Sequence, residues 1–283
     1  MKDSYFNSNF FINCQGKLVD LSTPKVMGII NVTPDSFYDG GKNNTIKTAL
    51  TATEKHLNEG GSFIDIGGYS SRPGAIDISI DTELTRVIPV IEAIEKRFPE
   101  CIMSIDTFRG EVAEKSIEAG AAIINDISAF NLDTKMVDVL VKYKVPYIMM
   151  HMKGNPQNMQ QNIKYDNIIK DLITFFSKKI IHLNSLGISD IILDPGFGFS
   201  KTSEHNYKTL HELKDLMLLK CPILAGISRK SMIYKNLKTS PLKSINGTTA
   251  LNMELLKNGA NLLRVHDVKE AIECVQLHKL INA

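Results

Sequence analysis

The chain has 283 residues, of which 43% are apolar and 23% are charged, and its formal net charge is +2. This composition predicts a soluble domain with a well-buried core, and the small net charge gives no indication of binding to nucleic acid or an anionic membrane. The N-terminal segment MKDSYFNSNFFIN lacks the features of a secretory signal, and no apolar run approaches the ~18 residues of a membrane helix, so we expect a cytoplasmic protein.

Short apolar or β-branched segments alternate along the chain with longer segments of helical periodicity. The short segments are typical of buried parallel strands, and eight of them follow one another. The predicted strands are VMGIIN (26–31), FIDIG (63–67), IMSID (102–106), AIINDI (122–127), VPYIMMH (145–151), DIILDPG (190–196), CPILAG (221–226) and NLLRVH (261–266). Of the segments between them, 81–98 is a clear helix, because its apolar residues recur on one face from Val87 onward.

Eight strand–helix units in a chain of this length predict a (β/α)8 TIM barrel, a fold of ~250 residues. The alternative is an open, doubly wound sheet, which would need fewer strands and would bind its ligand at one switch point. Nearly every predicted strand ends in a polar residue, which favours a barrel with a ring of loops. Before the first strand, Gln15-Gly16 separates two apolar segments, which predicts a β-hairpin over about 10–24 that covers the bottom of the barrel. We therefore treat 1–283 as a single barrel domain.

Polar and ionisable residues follow the predicted strands, at the end of the barrel where the active sites of this fold lie. Alone, an aspartate at a strand end is often only the N-cap of the next helix, so no single residue is decisive. A set that recurs on almost every strand instead indicates a site at the mouth of the barrel. In chain order the set is Asn31, Asp65 with Gly67 and Gly68, Asp106, Asn125, Asp126, His151, Asp194, Ser228 to Lys230, Arg264 and His266.

The residue types divide this mouth into two predicted pockets. Two acids, an amide and a lysine suit the edge of a flat heterocycle, because a carboxylate can accept two parallel N–H bonds and a lysine can donate to a ring carbonyl. These residues are Asp106, Asp194, Asn125 and Lys230. Cationic and oxygen ligands suit a pyrophosphate with Mg²⁺. These ligands are Arg264, His266 and Asn31.

Two loops add candidate binding groups. The segment IGGYSSRPGA (66–75) combines glycines that allow close backbone approach with a Pro-Gly turn and a projecting arginine, Arg72. The segment LDPGFGF (193–199) ends in Phe199, an aromatic ring that can stack on a planar ligand. A group of methionines is expected to line the core and the pocket wall rather than bind a metal. They are Met149, Met150, Met152 and Met159.

Nine segments together resemble dihydropteroate synthase of the folate pathway, over nearly the whole chain from about Val26 onward. They are, in order, NVTPDSFYDGG, DIGGYSSRPGA, SIDTFR, INDIS, MHMKGNPQNMQ, LDPGFGFSKT, GISRKSMI, NGTTALN and RVHDV. Any one of these segments is a weak match, whereas their shared order and spacing are very specific.

The resemblance implies roles for residues at matching positions. The residues implied to hold the pterin ring are Asp106, Asn125, Asp194 and Lys230, with Phe199 and Met150 forming the wall of that pocket. Those implied to anchor the pyrophosphate are Arg264 and His266, with Asn31 associated with Mg²⁺. Those implied to enclose p-aminobenzoate are Ser71, Arg72, Pro73, Ser228 and Phe37.

The implied reaction joins 6-hydroxymethyl-7,8-dihydropterin pyrophosphate to p-aminobenzoate, with Mg²⁺ as the cofactor, and members of the family are commonly homodimers. Pyrophosphate would leave from the CH₂ group, and the electron-rich ring would delocalise the developing cation. Asp106 could stabilise that cation before the neutral arylamine attacks. The first two loops would close over the site to keep water out.

The sequence departs from the family pattern in the second loop, where Tyr69 and Ser71 replace a common Glu and Thr. Serine keeps the hydroxyl group, whereas Tyr69 removes an acid. Two alternative functions stay open. One is a folate-binding methyltransferase that acts on a corrinoid protein, which would share Asp106, Asn125 and Asp194. The other is a non-catalytic pterin-binding paralogue, which the change at Tyr69 would support and the presence of Arg72, Lys230 and Arg264 argues against.

Overall fold

The computed structural model describes residues 10–33, 42–72, 74–161 and 163–282. Two antiparallel strands, β1 (Phe11–Cys14) and β2 (Lys17–Asp20), precede an eight-stranded parallel sheet. The strands of this sheet are β3 (Lys25–Asn31), β4 (Phe63–Gly67), β5 (Met103–Asp106), β6 (Ile123–Asp126), β7 (Tyr147–Met150), β8 (Ile191–Asp194), β9 (Leu224–Ala225) and β10 (Leu262–Val265). Each of the eight strands lies at a position that the alternation of apolar segments predicted.

The eight strands close into a barrel. Their hydrogen-bonded order is β8-β7-β6-β5-β4-β3-β10-β9, and the two ends of this order meet where Leu193 of β8 forms a parallel bridge with Ile223, just before β9. The Leu193 N–H group donates to the Pro222 carbonyl at 2.8 Å across this seam. The predicted (β/α)8 barrel is confirmed, and the open-sheet alternative is wrong, because β8 and β9 pair with each other instead of forming free edges.

Helices connect successive barrel strands and cover the outside of the barrel. They are α1 (Lys42–Asn58), α2 (Ile80–Arg97), α3 (Gly110–Glu118), α4 (Lys135–Tyr143), α5 (Ile168–Ser185), α6 (Ser203–His211), α7 (Ser231–Tyr234), α8 (Ile245–Lys257) and α9 (Val268–Ile281). The apolar face predicted from Val87 is buried against the sheet, and the Ser79 hydroxyl caps the start of α2 by accepting the Thr82 N–H bond. None of the helices in the described ranges is long and apolar enough to span a membrane.

The N-terminal hairpin seals the bottom of the barrel, as predicted. Apolar residues of the hairpin and of the segment after it share one buried cluster with residues at the starts of several barrel strands. The cluster includes Ile12, Cys14, Leu21, Phe63, Ile123, Leu224 and Leu262. The Asn261 side chain, just before β10, also donates to the Leu21 carbonyl at 2.9 Å. Because this end is filled with side chains, the opposite end is the open mouth at which ligands can bind.

Candidate active site

A partly buried ion-pair network joins four of the polar residues at the mouth. Arg264 on β10 donates from Nη2 to Asp106 Oδ2 at 2.6 Å and from Nε to Asp65 Oδ2 at 2.5 Å. The Asn125 amide donates to the same Asp65 oxygen at 3.0 Å. Asp65 is fully buried in the middle of β4. It therefore fixes the Arg264 guanidinium and the Asn125 amide relative to each other, a role that the sequence did not reveal.

The Asp106 carboxyl group lies in an environment that disfavours its charge. Burial is the main cause, and Arg264 opposes it, while the carboxylates of Asp65, Glu83 and Asp126 reinforce it. Together these effects raise the pKa of Asp106 from 3.8 to about 7. A carboxyl group with this pKa changes its charge close to neutral pH, which is the range in which perturbed groups at functional sites commonly titrate.

Lys230 and Asp194 occupy the other side of the mouth. The Lys230 ammonium donates to the Phe197 carbonyl at 2.6 Å and lies 4.9 Å from the centre of the Phe199 ring. Burial lowers the pKa of Lys230 to about 8, against the effect of Asp194. Burial also raises the pKa of Asp194, against the effect of Lys230. The two groups therefore stabilise each other's charged forms in a site that penalises both.

An apolar wall lies between the strand ends and the loop that follows β7. Met150, Met152 and Met159 form a buried cluster with Ile127, against which Phe108 and Phe199 pack. This packing agrees with the interpretation of the methionines as wall residues. Met149, which points to the other face of β7, lies instead in the core between the sheet and the helices.

Ser228 and His266 form a hydrogen-bonded pair at the ends of β9 and β10. Ser228 Oγ accepts the His266 backbone N–H bond at 3.2 Å and lies 3.0 Å from His266 Nδ1. Burial, together with the charges of Arg264 and Arg229, lowers the pKa of His266 to about 4. His266 is therefore neutral near pH 7, whereas the sequence analysis counted it among the cationic ligands.

The remaining predicted residues lie around β3 and the loop after β4. Asn31 Oδ1 and Asp106 Oδ2 flank Gly67, since each would lie 3.6 Å from a Cβ atom at that position. Ser71 is partly buried and Arg72 is exposed, and the Arg72 charge contributes to the lowered pKa of His266. Phe37 and Pro73, which were predicted to enclose the second pocket, lie outside the described residues.

Tyr69 joins the loop after β4 to two neighbouring loops. Its hydroxyl group accepts a hydrogen bond from the Gln157 amide at 3.0 Å, and its ring packs edge-to-face on Phe108 with centroids 5.1 Å apart. The Arg109 guanidinium lies 5.3 Å from the centre of the same ring and pairs with the buried Glu83 at 2.9 Å. The residue that departs from the family pattern is thus a structural link at the base of the second loop.

The closed barrel, the sealed bottom and the carboxylates, lysine and arginine at its mouth define a (β/α)8-barrel enzyme. A family model described as "Pterin binding enzyme" matches residues 27–266. The chain is 42% identical to dihydropteroate synthase of Escherichia coli (strain K12) over 265 residues, which cover 93% of each chain. This chain belongs to the dihydropteroate synthase family, whose members are transferases of folate biosynthesis.

Solved structures of the family superpose closely on this chain. The Yersinia pestis dihydropteroate synthase with a sulfonamide drug complex gives a TM-score of 0.91 at 40% identity, covering 96% of this chain and 99% of that one. The Xanthomonas albilineans dihydropteroate synthase in complex with 7,8-dihydropteroate gives a TM-score of 0.86 at 33% identity, again covering 96% and 99% of the two chains.

Proposed function

We propose that this chain condenses 6-hydroxymethyl-7,8-dihydropterin pyrophosphate with p-aminobenzoate to give 7,8-dihydropteroate and pyrophosphate. The observation that carries the proposal is the network of Asp106, Asp65, Asn125 and Arg264. It puts acceptors for a heterocycle edge directly beside a guanidinium that can hold a pyrophosphate. A substrate with both groups attached to one CH₂ unit would fit across this network.

The chemistry assigned to the site is a substitution at the CH₂ group of the pterin. The C–O bond to pyrophosphate breaks with its electron pair on the leaving oxygen, and the C–N bond to the arylamine forms. The amine then loses a proton to solvent. Arg264 and the neutral His266 N–H group would stabilise the leaving anion, and ionised Asp106 would stabilise the positive charge that develops on the pterinylmethyl group. An aniline is unprotonated at neutral pH, so no strong general base is required.

The proposal includes Mg²⁺ bound together with the pyrophosphate. No cluster of three or more His, Cys, Asp or Glu side chains that could hold a metal occurs within the described ranges. Mg²⁺ commonly takes only one or two protein oxygens and completes its shell with substrate phosphates and water. Asn31 Oδ1, which lies near Asp106 across Gly67, fits that mode of binding. The ion would supply positive charge for the leaving group.

The experiment that tests the function is pyrophosphate release from the pterin ester with Mg²⁺, with and without p-aminobenzoate, followed by mass detection of dihydropteroate. Enzyme-dependent release with formation of dihydropteroate is the expected result. Tight binding of the ester without product would instead favour the non-catalytic paralogue. Methyl transfer from methyltetrahydrofolate to a corrinoid protein would favour the methyltransferase.

We also propose that the protein acts as a homodimer in the cytoplasm. The dimer proposal is supported by exposed apolar residues on the last helix, where Leu277, Leu280 and Ile281 have exposed fractions of 54%, 74% and 73%. Light scattering during size-exclusion chromatography would test it, and a mass of one chain at micromolar concentration would contradict it. The cytoplasmic location is proposed because the N-terminal segment lacks the features of a secretory signal.

The pH dependence of catalysis should be a narrow bell. Ionised Asp106 is needed to accept N–H bonds, and its pKa is raised to about 7, so kcat/KM for the ester should rise with pH through that value. Protonated Lys230 is needed to donate, and its pKa is lowered to about 8, so kcat/KM should fall above that pH. Rates at saturating p-aminobenzoate from pH 5.5 to about 9.5 would measure both limbs, which belong to the coupled set of groups.

A lysine-to-arginine exchange provides the control for this profile. Lys230→Arg keeps its charge throughout the range, because the pKa of arginine is above ~12. For the residual activity of this variant, kcat/KM should therefore still rise with pH as Asp106 ionises, but it should no longer fall at high pH. A wild-type profile that is flat between pH 6 and about 9 would contradict the assignment of these two groups.

The link through Tyr69 should affect the second substrate selectively. Tyr69→Phe removes only the hydroxyl group that accepts from Gln157, a hydrogen bond worth ~0.5–1.5 kcal/mol. Since Tyr69 anchors the loop with Ser71 and Arg72, we expect a KM for p-aminobenzoate that is about 2- to 5-fold higher, with the KM for the ester within about twofold of wild type. Steady-state kinetics with each substrate varied in turn would measure this.

Gln157→Leu removes the same hydrogen bond from its other end. It should reproduce the effect of Tyr69→Phe, and the double variant should be no worse than either single one. Gln161→Leu, an exposed glutamine on the same loop, is the matched control and should be silent. Additive losses from Tyr69→Phe and Gln157→Leu would show that the two side chains act independently.

A further inference from the structure

A buried lysine outside the predicted set, Lys201, lies behind the turn that carries Phe199. The residue is only 3% exposed. Its ammonium group lies 3.1 Å from His151 Nδ1 and donates to the carbonyls of Gly196 and Phe199, each at 3.1 Å. A contact of 3.5 Å to the His151 carbonyl completes the set. These partners are neutral, so Lys201 functions here as a donor that gathers backbone carbonyls.

The turn at 196–199 is held by side chains from three directions. On the buried side, Lys201 donates to the first and last carbonyls of the turn, those of Gly196 and Phe199. On the side of the mouth, Lys230 donates to the second carbonyl at a distance of 2.6 Å. Gln160, on the loop after β7, donates to the third carbonyl at a distance of 2.8 Å. Each of the four successive carbonyl groups of the turn therefore has a side-chain donor. Such complete pairing fixes the conformation of a short loop more firmly than backbone contacts alone.

The conformation of this turn sets the geometry of the pocket. Gly196 has φ +71°, and a Cβ atom there would lie 2.2 Å from the His151 carbonyl, so the chain passes closer to the end of β7 than any other residue type allows. The Gly196 N–H group donates to Asp194 Oδ1 at 2.7 Å. The turn thus orients the Asp194 carboxylate at one end and the Phe199 ring at the other.

Lys230 has to serve the turn and the ligand with one ammonium group. If it donates to a ring carbonyl of the pterin, its ammonium must move away from, or share, the Phe197 carbonyl that it contacts at 2.6 Å. Lys201 is buried on the opposite side of the turn and has no such conflict. The hydrogen bonds of Lys201 to the turn therefore persist whether Lys230 leaves the Phe197 carbonyl or shares it with the substrate.

We propose that Lys201 is a positioning residue that keeps the 196–199 turn, and with it Asp194 and Phe199, in the geometry for pterin binding when Lys230 turns to the substrate. This proposal rests on the proposed function and extends it to a residue that does not touch the substrate. It predicts that loss of the Lys201 hydrogen bonds weakens pterin recognition and leaves the second substrate unaffected.

The test is Lys201→Met, which keeps the length of the side chain and removes its donors. Burial lowers the pKa of Lys201 to about 7, so the ammonium charge is held weakly and its loss alone should not unfold the protein. We expect the KM for the ester to rise at least ~10-fold, the affinity for 6-hydroxymethylpterin to fall by a similar factor, and the KM for p-aminobenzoate to stay within about twofold. Lys201→Gln, which keeps an amide donor, should recover part of the loss.

Lys179→Met is the matched control. Lys179 on α5 also holds a loop from behind, since it donates to the Ala129 carbonyl at 2.8 Å and to Asn131 Oδ1 at 2.6 Å, and that loop carries none of the proposed pterin-binding residues. It should lower the melting temperature without changing either KM.

Unchanged pterin affinity in a folded Lys201→Met variant would overturn the proposal, and so would equal losses for both substrates. If Lys201→Met does not fold, Lys201→Gln is measured in its place, because one amide group cannot supply all the bonds of the ammonium; equal losses for both substrates in that variant would overturn the proposal. Because the affinity for 6-hydroxymethylpterin is measured without turnover, this test does not depend on whether the protein is a synthase. Wild-type protein that binds 6-hydroxymethylpterin but releases no pyrophosphate would refute the synthase, while the effect of Lys201→Met on binding could still be scored.

Discussion

An Asp106→Asn variant is expected to lose about a hundred- to a thousandfold in kcat/KM for the pterin ester while remaining folded. Asparagine has nearly the shape of aspartate, so the change isolates the charge. An ionised carboxylate accepts two N–H bonds from the edge of the pterin, whereas an amide has only one acceptor oxygen and turns an NH₂ donor group toward the second pterin N–H. It also removes the negative charge proposed to stabilise the developing pterinylmethyl cation.

The folded state should tolerate this substitution. The pKa of Asp106 is raised from 3.8 to about 7, so keeping it ionised costs free energy of folding as the pH rises from about 4 to about 7. A neutral amide avoids that cost, and Arg264 keeps its second carboxylate, Asp65. We therefore expect a melting temperature within a few degrees of wild type near pH 7, measured by circular dichroism.

Asp133→Asn is the matched control for Asp106→Asn. Asp133 accepts the backbone N–H bonds of Gly110 at 2.8 Å and Lys135 at 3.0 Å, so it has a capping role away from the mouth. The Asp133→Asn variant should be somewhat less stable than wild type and fully active. A fully active Asp106→Asn variant would remove Asp106 from the pterin pocket.

The ends of the barrel strands were the part of the site that could be predicted. Alternating apolar segments locate buried strands, and parallel strands in a closed barrel must bring their carboxyl ends to one mouth. This reasoning is sufficient to bring Asp106, Asn125 and Arg264 into one network. It depends only on where the strands end, not on how the side chains are paired.

The pairing of these side chains, and the residues behind them, could not be predicted in the same way. Asp65 was expected at the mouth, but its bond to Arg264 depends on the strand order, in which β4 and β10 both pair with β3. Lysines are rarely buried unless they are paired, so nothing in the sequence pattern predicts that Lys201 lies in the interior. The neutral state of His266 likewise depends on how deeply the imidazole is buried, which a sequence pattern does not encode.

Replacing Arg264 should separate recognition of the pyrophosphate from recognition of the pterin. A guanidinium has five N–H donors, and within the described ranges two of them are directed at Asp65 and Asp106, which leaves three for an anion. Arg264→Ala would leave two carboxylates uncompensated and cost ~3–5 kcal/mol of stability. Arg264→Lys keeps the charge and loses the fork geometry, so it is the better variant.

For Arg264→Lys we expect affinity for the pterin pyrophosphate to fall about 10- to 100-fold, the equivalent of one or two charge-assisted hydrogen bonds. Affinity for 6-hydroxymethylpterin, which lacks the pyrophosphate, should change by less than about threefold. Titration calorimetry with Mg²⁺ would measure both ligands on the same protein.

Arg109→Lys is the matched control for Arg264→Lys, because Arg109 is also held by two carboxylates, Glu83 at 2.9 Å and Asp77 at 3.0 Å. It should lower the melting temperature and leave the ratio of the two affinities unchanged. Equal weakening of both ligands by Arg264→Lys would mean that the guanidinium only supports the carboxylate network. A selective loss of affinity for the pyrophosphate ester would instead mean that Arg264 both organises the heterocycle pocket and anchors the leaving group. Because the two pockets then share one residue, that residue aligns the bond to be broken.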